Sequence, residues 1–406
     1  MSLCLFITFC FVFLINNIRS INEKEFNKDG IIFAEYSDFY GIMSMKIRFG
    51  SGSFQQHNMD IDITSDYSWT NSISHDNNRS NTLSIIKDDE VITLRTGKQT
   101  KATLCRDVIH ILNDDITEIN LQNFYYYHFK YRNDSLPITL GLAFKFENYK
   151  LSFVHNLFNE GIIKRRAFTF IRDSKEYGGK LYFGGIPSNI FDNSYKGYCK
   201  VLNNKLKGWN CKLNLFAFGN ETNKYEYNLD NHGIMILNST VEDIFVPKEV
   251  MKGLNKTFFE EGIKNGGCSI EHITNSQKPY FMCNCNMIEK WNHTMNITIE
   301  GYEYVLGYSQ LFEDILGFCY FNVREGDDKN IFYIGSSFFQ RYDAEFDYDN
   351  KSITFLSNVT IPYFYSRKGL ENIQRSFVVV NFMLLAGSIY LSVIMFLQRK
   401  IYLNNS

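Results

Sequence analysis

Two short segments of the 406-residue chain end an apolar run on a polar side chain and follow it with hydroxyl residues. In the first, residues 59–65, that side chain is Asp62; in the second, residues 234–240, it is Asn238. Two carboxylates held close together can share one proton and activate a water molecule. Only one of these two residues is a carboxylate, and an amide forms hydrogen bonds but does not exchange protons near neutral pH.

Other carboxylates lie close to the two segments along the chain: Asp60, Asp66, Glu242 and Asp243. Alternation along a strand places Asp60 on the same side as Asp62, although two residues earlier. Glu242 and Asp243 begin the turn after the second segment and are expected to point outward. We interpret all four as solvated or structural charges, so that none replaces the missing carboxylate.

The two ends of the chain predict a protein that enters the secretory pathway and stays in a membrane. An apolar run over residues 3–15 predicts a signal peptide covering residues 1–20, although an uncleaved anchor remains an alternative. Residues 377–397 carry no charge and are long enough for one transmembrane helix. The basic residues that follow predict a cytoplasmic tail at 398–406. The prediction is a type I single-pass protein with a lumenal or extracellular body, on a secretory-pathway or cell-surface membrane.

The cysteines agree with an oxidising compartment. Seven lie between the two apolar segments: Cys105, Cys199, Cys211, Cys268, Cys283, Cys285 and Cys319. Such cysteines are normally paired in a secreted chain, and an odd number leaves one over. Metal binding at Cys283 and Cys285 is the alternative. It is disfavoured because no histidine stands at zinc-finger spacing and no Cys-x-x-Cys unit is present, so no metal or other cofactor is expected.

Glycosylation sequons are dense between the two apolar segments: Asn78, Asn133, Asn220, Asn238, Asn255, Asn292, Asn296, Asn350 and Asn358. Their density is typical of a glycosylated ectodomain, although each motif alone is a weak signal. Asn238 belongs to one of them, and we expect its loop to be buried and unmodified.

The rest of the chain has the pattern of a mainly β protein. Short apolar or alternating runs separated by turn residues predict many strands, and helical spacing favours only residues 151–160 and 248–262. A net charge of −2 points away from nucleic acid and from anionic lipid as electrostatic partners. Some 340 residues of short strands favour two β lobes over a single sandwich.

The order of several landmarks resembles the pepsin-like aspartic protease family over most of residues 38–357. The first active-site loop of that family is matched by Asp62 with Trp69 seven residues later, and the second by Asn238. The remaining landmarks are residues 38–41, 47–50, 140–143, 156–161, 168–170, 179–185, 208–209, 332–335, 338, 342 and 346–347. Any one of them is weak evidence, whereas their common order is specific.

The resemblance implies a bilobal β fold around a central cleft, to which each lobe contributes one loop. We therefore predict a short N-terminal segment at 21–37, lobes at 38–190 and 191–357, and a juxtamembrane linker at 358–376. It also implies one disulfide in the second lobe, for which Cys285 with Cys319 is our choice. Local pairing then suggests Cys268 with Cys283 and Cys199 with Cys211, leaving Cys105.

Several residues depart from what the resemblance implies. Asn238 replaces the second catalytic aspartate, and threonines replace the loop glycines next to the catalytic water. The threonine that braces the opposite lobe is Ile63, although Ser239 can still brace from the second lobe. The flap that covers the cleft in this family has Leu94 in place of its tyrosine. The loop residues concerned are Ile63, Thr64, Ser65, Ser239 and Thr240.

These departures favour a pseudoprotease that binds a protein or peptide ligand in its cleft or on its surface. The alternative is a membrane-bound aspartic endopeptidase with an unusual or slow mechanism, in which Asp62 still acts. A surface or adhesion glycoprotein without either role is a third hypothesis. Whether the chain is an enzyme is therefore left open by its sequence, with inactivity preferred.

Overall fold

The computed structural model describes residues 30–39, 42–50, 55–71, 80–93, 99–113, 117–129, 138–144, 149–173, 178–187, 190, 195–202, 206, 208–271 and 279–357. They belong to one compact unit, Gly30–Val359. The predicted signal peptide, juxtamembrane linker, transmembrane helix and tail lie outside the described residues, as does Leu94. Within the described residues, no helix is long and apolar enough to cross a membrane.

Strands make up most of the described chain, which confirms the mainly β prediction. Their bounds are β1 Ile32–Phe39, β2 Ile42–Phe49, β3 Gln55–Asp62, β4 Trp69–Asn71, β5 Ser84–Thr93, β6 Gln99–Asn113, β7 Thr117–Phe129, β8 Thr139–Gly141, β9 Ala167–Arg172, β10 Gly178–Phe183, β11 Tyr195–Lys200, β12 Asn210–Gly219, β13 Lys224–Leu237, β14 Ile244–Val246, β15 Cys268–Glu271, β16 Tyr280–Asn284, β17 Thr294–Ile299, β18 Tyr302–Leu306, β19 Phe312–Ile315, β20 Phe318–Phe321, β21 Val323–Glu325, β22 Ile331–Ile334, β23 Tyr342–Asp347 and β24 Ser352–Ser357.

Helices are short and mostly fill the gaps between strands. Their bounds are α1 Phe153–Asn159, α2 Lys248–Leu254, α3 Glu260–Lys264, α4 Cys285–Trp291, α5 Tyr308–Leu311 and α6 Ser336–Phe339, with a 3₁₀ turn at Tyr149–Leu151 and a π-helical turn at Asn255–Phe259. Both predicted helices are confirmed. The first begins where the Ser152 side chain accepts a hydrogen bond from the His155 backbone N–H, as N-cap serines do.

The strands form three sheets. The largest has 13 strands in the order β11-β24-β23-β9-β10-β1-β2-β3-β8-β4-β7-β6-β5, so strands near the end of the chain pair beside β9. A seven-stranded sheet has the order β18-β17-β12-β13-β22-β14-β21, and a four-stranded one the order β15-β16-β20-β19. Strand β1 begins inside the predicted N-terminal segment 21–37. The folded body therefore starts before residue 38, because alternate β1 side chains such as Ala34 and Tyr36 are buried.

The same strand arrangement occurs twice. In the first half, β3 pairs in parallel with β8, with Asp62 opposite Gly141, and β8 pairs antiparallel with β4. In the second half, β13 pairs in parallel with β22, with Leu237 opposite Ile334, and β22 pairs antiparallel with β14. In each arrangement one strand, β3 or β13, leads directly into one of the two candidate loops.

A glycine lets the chain pass closely under each loop. A Cβ added to Gly141 would lie 2.5 Å from the Tyr67 carbonyl oxygen, and one added to Gly335 would lie 2.3 Å from that of Asp243. Both contacts are too short for any side chain, so glycine is required by the crossing itself. Neither glycine needs an unusual backbone angle; the close approach decides the residue.

The predicted pairs are present as three disulfides, Cys199–Cys211, Cys268–Cys283 and Cys285–Cys319. The Cys268–Cys283 disulfide joins the paired strands β15 and β16. The Cys285–Cys319 disulfide joins the start of helix α4 to β20, the strand on the other side of β16. Cys105 is buried on β6 and its thiol points to the Thr103 carbonyl oxygen at 3.7 Å. It takes part in no disulfide among the described residues.

Candidate functional site

Asp62 is the last residue of β3 and is almost fully buried, with 3% of its surface exposed. Its backbone carbonyl accepts a hydrogen bond from the Leu142 N–H at 2.8 Å, which ties the loop to the segment after β8. Its side-chain Oδ1 accepts two more, from the backbone N–H of Thr64 at 2.8 Å and from the Thr64 hydroxyl at 2.6 Å. The carboxylate is therefore held in one orientation by its own loop.

Asn238 has the matching position directly after β13 and is 1% exposed. Its backbone N–H donates to the Ile334 carbonyl at 2.9 Å, again toward the strand that crosses under the loop. Its Oδ1 accepts from the Thr240 N–H at 3.1 Å and from the Thr240 hydroxyl at 2.9 Å. The amide thus repeats the bonding of Asp62, and its oxygen is the atom held by Thr240.

Ser239 brings the two loops into direct contact. Its hydroxyl donates to the Ile61 carbonyl at 2.5 Å and accepts from the Ile63 N–H at 3.1 Å. The residues on both sides of Asp62 are therefore bonded to the residue that follows Asn238. Ile63 is fully buried and has no group with which to return the interaction, so the side-chain bridge between the loops comes from the second loop.

Ser65 closes the first loop from inside. Its hydroxyl donates to the Tyr67 carbonyl at 2.8 Å, and its own carbonyl accepts from the Ala143 N–H at 2.9 Å. Across the halves, the Trp209 indole N–H donates to the Leu142 carbonyl at 2.8 Å. These bonds fix the segment 140–143 under the first loop, and with it the position of Asp62.

Asp60 is the residue whose environment sequence reasoning missed. It is half-buried on the same face of β3 as Asp62, while the side chains of Met59 and Ile61 point into the core. Loss of water contact and the nearby charge of Asp62 raise the pKa of Asp60 to about 6. Strand alternation predicts the shared side, but no sequence signal gives the extent of burial that changes the titration.

The other three carboxylates near the loops are structural rather than solvated. Asp66 is buried. Asp243 pairs with Arg324 at 2.8 Å, and burial raises its pKa despite that partner. Glu242 is half-buried, accepts from Gln340 at 3.3 Å, and has a pKa raised by burial and by Glu313. The expectation that Asp243 points outward is wrong, because its carboxylate is largely buried against Arg324, whereas Glu242 stays half-exposed beside Gln340.

Within the part of the chain that the structure describes, no group of three or more His, Cys, Asp or Glu side chains could hold a metal ion. The first loop offers the carboxylate of Asp62, and the corresponding position of the second loop offers an amide whose oxygen is bound by Thr240. The flap residue Leu94 cannot be placed, since it lies outside the described residues.

Comparison with protein families matches residues 44–357 to the model for eukaryotic aspartyl proteases. The chain belongs to this family. The match covers both candidate loops. No curated protein sequence matches the chain.

Solved structures agree on the fold. An aspartic proteinase from Irpex lacteus superposes with a TM-score of 0.62 at 13% identity, covering 82% of this chain and 99% of that one. Basic 7S globulin from soybean gives a TM-score of 0.62 at 12% identity, covering 81% and 97%. At such low identity these similarities establish the pepsin-like fold alone.

Proposed function

We propose that this member of the eukaryotic aspartyl protease family is a pseudoprotease, which binds a protein or peptide ligand and does not cleave it efficiently. The observation that carries the proposal is the amide of Asn238 at the position paired with Asp62. Hydrolysis at such a pair requires one group that takes a proton from water and another that donates one to the substrate. The amide does neither.

The expected loss is large. Removing a general acid or base typically lowers a rate by about 10²- to 10⁴-fold. When catalytic groups act as one unit, the removal of one member costs about as much rate as the removal of all of them. We therefore expect little peptide hydrolysis from Asp62 without a carboxylate partner.

The two threonines support the same conclusion. Thr64 and Thr240 are half-buried, and their hydroxyls bond to the side-chain oxygens of Asp62 and Asn238. A water or substrate group that approached Oδ1 of either residue would have to compete with the threonine hydroxyl. Each threonine also adds a branched side chain where the family has glycine, which restricts close approach.

One observation favours a second candidate, an active endopeptidase of unusual mechanism. Burial and the charge of Asp62 raise the pKa of Asp60 to about 6, and Asp60 lies on the same face as Asp62, so it could exchange protons in place of Asn238. Both carboxylates would then come from a single strand. A water held between them would have no proton-exchanging group on the opposite loop, which is why we rank this function second.

We place the binding domain on the lumenal or extracellular side of a membrane. Three disulfides suit an oxidising compartment. The predicted signal peptide and the predicted span at 377–397 supply entry and anchoring. The ligand would lie as an extended segment across the two loops, in the cleft that the family resemblance implies between the lobes.

Binding of an immobilised random peptide library to the detergent-solubilised full chain tests this function. Peptides selected by the wild type should lose binding to Thr240→Arg, which places a large side chain over Asn238. They should keep binding to Lys264→Ala, a matched change of an exposed residue on α3. Restoring a carboxylate with Asn238→Asp should yield little or no cleavage of these peptides between pH 4 and 6, because Ile63, Thr64 and Thr240 remain. Equal binding by the Thr240→Arg variant would reject the cleft as the binding site.

A further inference from the structure

The glycosylation sequons differ sharply in how their asparagines are held. Six of those between the apolar segments fall within the described residues: Asn220, Asn238, Asn255, Asn292, Asn296 and Asn350. A folded protein accommodates a glycan only where the side-chain nitrogen Nδ2 reaches solvent with room for a sugar. The structure allows each of the six to be judged on that requirement.

Three of these nitrogens point to protein acceptors. Nδ2 of Asn220 donates to the Trp291 carbonyl at 3.0 Å. Nδ2 of Asn296 donates to Glu303 at 2.7 Å, and Nδ2 of Asn350 donates to Asp347 at 2.7 Å. A sugar on any of them would have to displace the acceptor or turn the side chain away from it.

Two further sequons are disfavoured by burial. Asn238 is 1% exposed and its oxygen is held by Thr240, so a glycan there would have to open both loops. Asn255 begins the π-helical turn, and its Oδ1 is buried without a hydrogen-bond partner. Neither side chain stands clear of the fold.

Asn292 differs from these five. It follows the last residue of α4 in the left-handed conformation, with φ 47° and ψ 39°, and its side chain is exposed. It makes no hydrogen bond to another described residue. A left-handed asparagine is common at the end of a helix, so the cap alone explains the residue type. Thr294 completes the sequon two residues later; it begins β17, and its hydroxyl donates to Oδ1 of Asn296 at 3.1 Å.

We propose that Asn292 is an N-glycosylation site of this protein and that Asn238 is not modified. In the transfer, Nδ2 of Asn292 forms a bond to C1 of the first sugar of a lipid-pyrophosphate-linked oligosaccharide. The bond between C1 and the pyrophosphate oxygen breaks, the lipid pyrophosphate leaves with the electron pair, and Nδ2 loses one proton. The proposal rests on the lumenal placement under the proposed function.

The test uses the full chain expressed in a eukaryotic secretory host. Enzymatic deglycosylation in ¹⁸O-water converts each occupied asparagine to labelled aspartate, which peptide mass spectrometry locates. We expect label at Asn292 and none at Asn238. Two variants remove the site differently: Asn292→Gly keeps the left-handed cap, and Thr294→Val keeps the asparagine. Each should lose one deglycosylation-sensitive step in gel mobility, whereas the control variants Asn220→Gln and Asn350→Gln should retain it.

The possible failures are distinguishable. A membrane-inserted, disulfide-bonded protein with an unmodified Asn292, or with label at Asn238, would overturn this proposal and leave the proposed function standing. A protein that carries no label, forms no disulfides and stays accessible to cytosolic protease would reject the lumenal placement, and the glycosylation site with it.

Discussion

The loop after β3 and the loop after β13 are built alike and differ in what they present. Each loop follows a strand that pairs in parallel with a crossing strand. In each, the backbone N–H and the hydroxyl of a threonine donate hydrogen bonds to the side chain two residues earlier. Under each, a glycine passes where no Cβ fits. The first loop presents a carboxylate, and the second presents an amide of nearly the same shape.

The comparison shows which features the fold itself requires. Gly141 and Gly335 are fixed by close packing, and any other residue would push the loop away. The oxygen bound by Thr240 is present in aspartate and asparagine alike, so either residue can accept these two hydrogen bonds at position 238. The two residues differ in charge, in proton transfer and in the N–H donors of the amide.

The Ser239 bridge between the two loops has no counterpart from the first loop. Ser239→Ala removes a buried hydroxyl that satisfies both the Ile61 carbonyl and the Ile63 N–H. Leaving such groups unpaired costs about 1–3 kcal/mol, so the free energy of unfolding should fall by that amount in urea denaturation. Ser239→Thr retains the hydroxyl and should lose much less. Equal losses for the two variants would show that packing, and not the bridge, holds the loops.

The paired threonines sharpen the comparison. Thr64→Val and Thr240→Val each delete one hydroxyl bond in the same geometry, to a carboxylate in one loop and to an amide in the other. Hydrogen bonds to charged groups contribute about 1.5–3 kcal/mol and neutral ones about 0.5–1.5 kcal/mol. Thr64→Val should therefore destabilise the protein by about 1 kcal/mol more than Thr240→Val at neutral pH. Indistinguishable unfolding curves would contradict a charged acceptor at Asp62.

Asp60 gives the smallest effect and depends on pH. Its folded pKa of about 6 exceeds its ordinary value, so the folded protein binds the proton more tightly than the unfolded chain. Stability should therefore fall as the pH rises from about 4 to 6 and stay level above that. Asp60→Asn should raise the free energy of unfolding at pH 7 by up to about 1 kcal/mol, since solvent screens this half-buried group, and change nothing at pH 3.5. Urea denaturation at both pH values checks this, and a stabilisation that persists at pH 3.5 would contradict it.

Much of this fold follows from local sequence signals. Alternating apolar residues identify β2 and β3, and helix α1 follows from apolar spacing with a stop at Gly161. The family resemblance implied the turn after β10 and the Cys285–Cys319 disulfide, and the other two disulfides followed from pairing neighbours among the remaining cysteines. The family pattern placed Asp62 and Asn238 at the ends of equivalent strands.

Other features depend on distant parts of the chain and were not predictable. Nothing near Asp60 indicates how far the surrounding strands exclude water from it. The hydrogen bonds from the Thr64 and Thr240 hydroxyls depend on side-chain rotamers, and the allowed rotamers depend on the backbone angles of the folded loops. The burial of Asp66 depends on residues that only the tertiary structure brings around it. The same holds for the ion pair of Asp243 with Arg324, which are distant in the sequence.

The most direct test of the central claim is a cleavage assay on the wild-type chain. The purified full-length protein is incubated with a complex peptide library from pH 3 to 7, alongside Asp62→Ala as the matched negative, and new termini are counted by mass spectrometry. A site with one carboxylate and one amide predicts the same background for both proteins at every pH. Cleavage by the wild type that disappears in Asp62→Ala would contradict the pseudoprotease account.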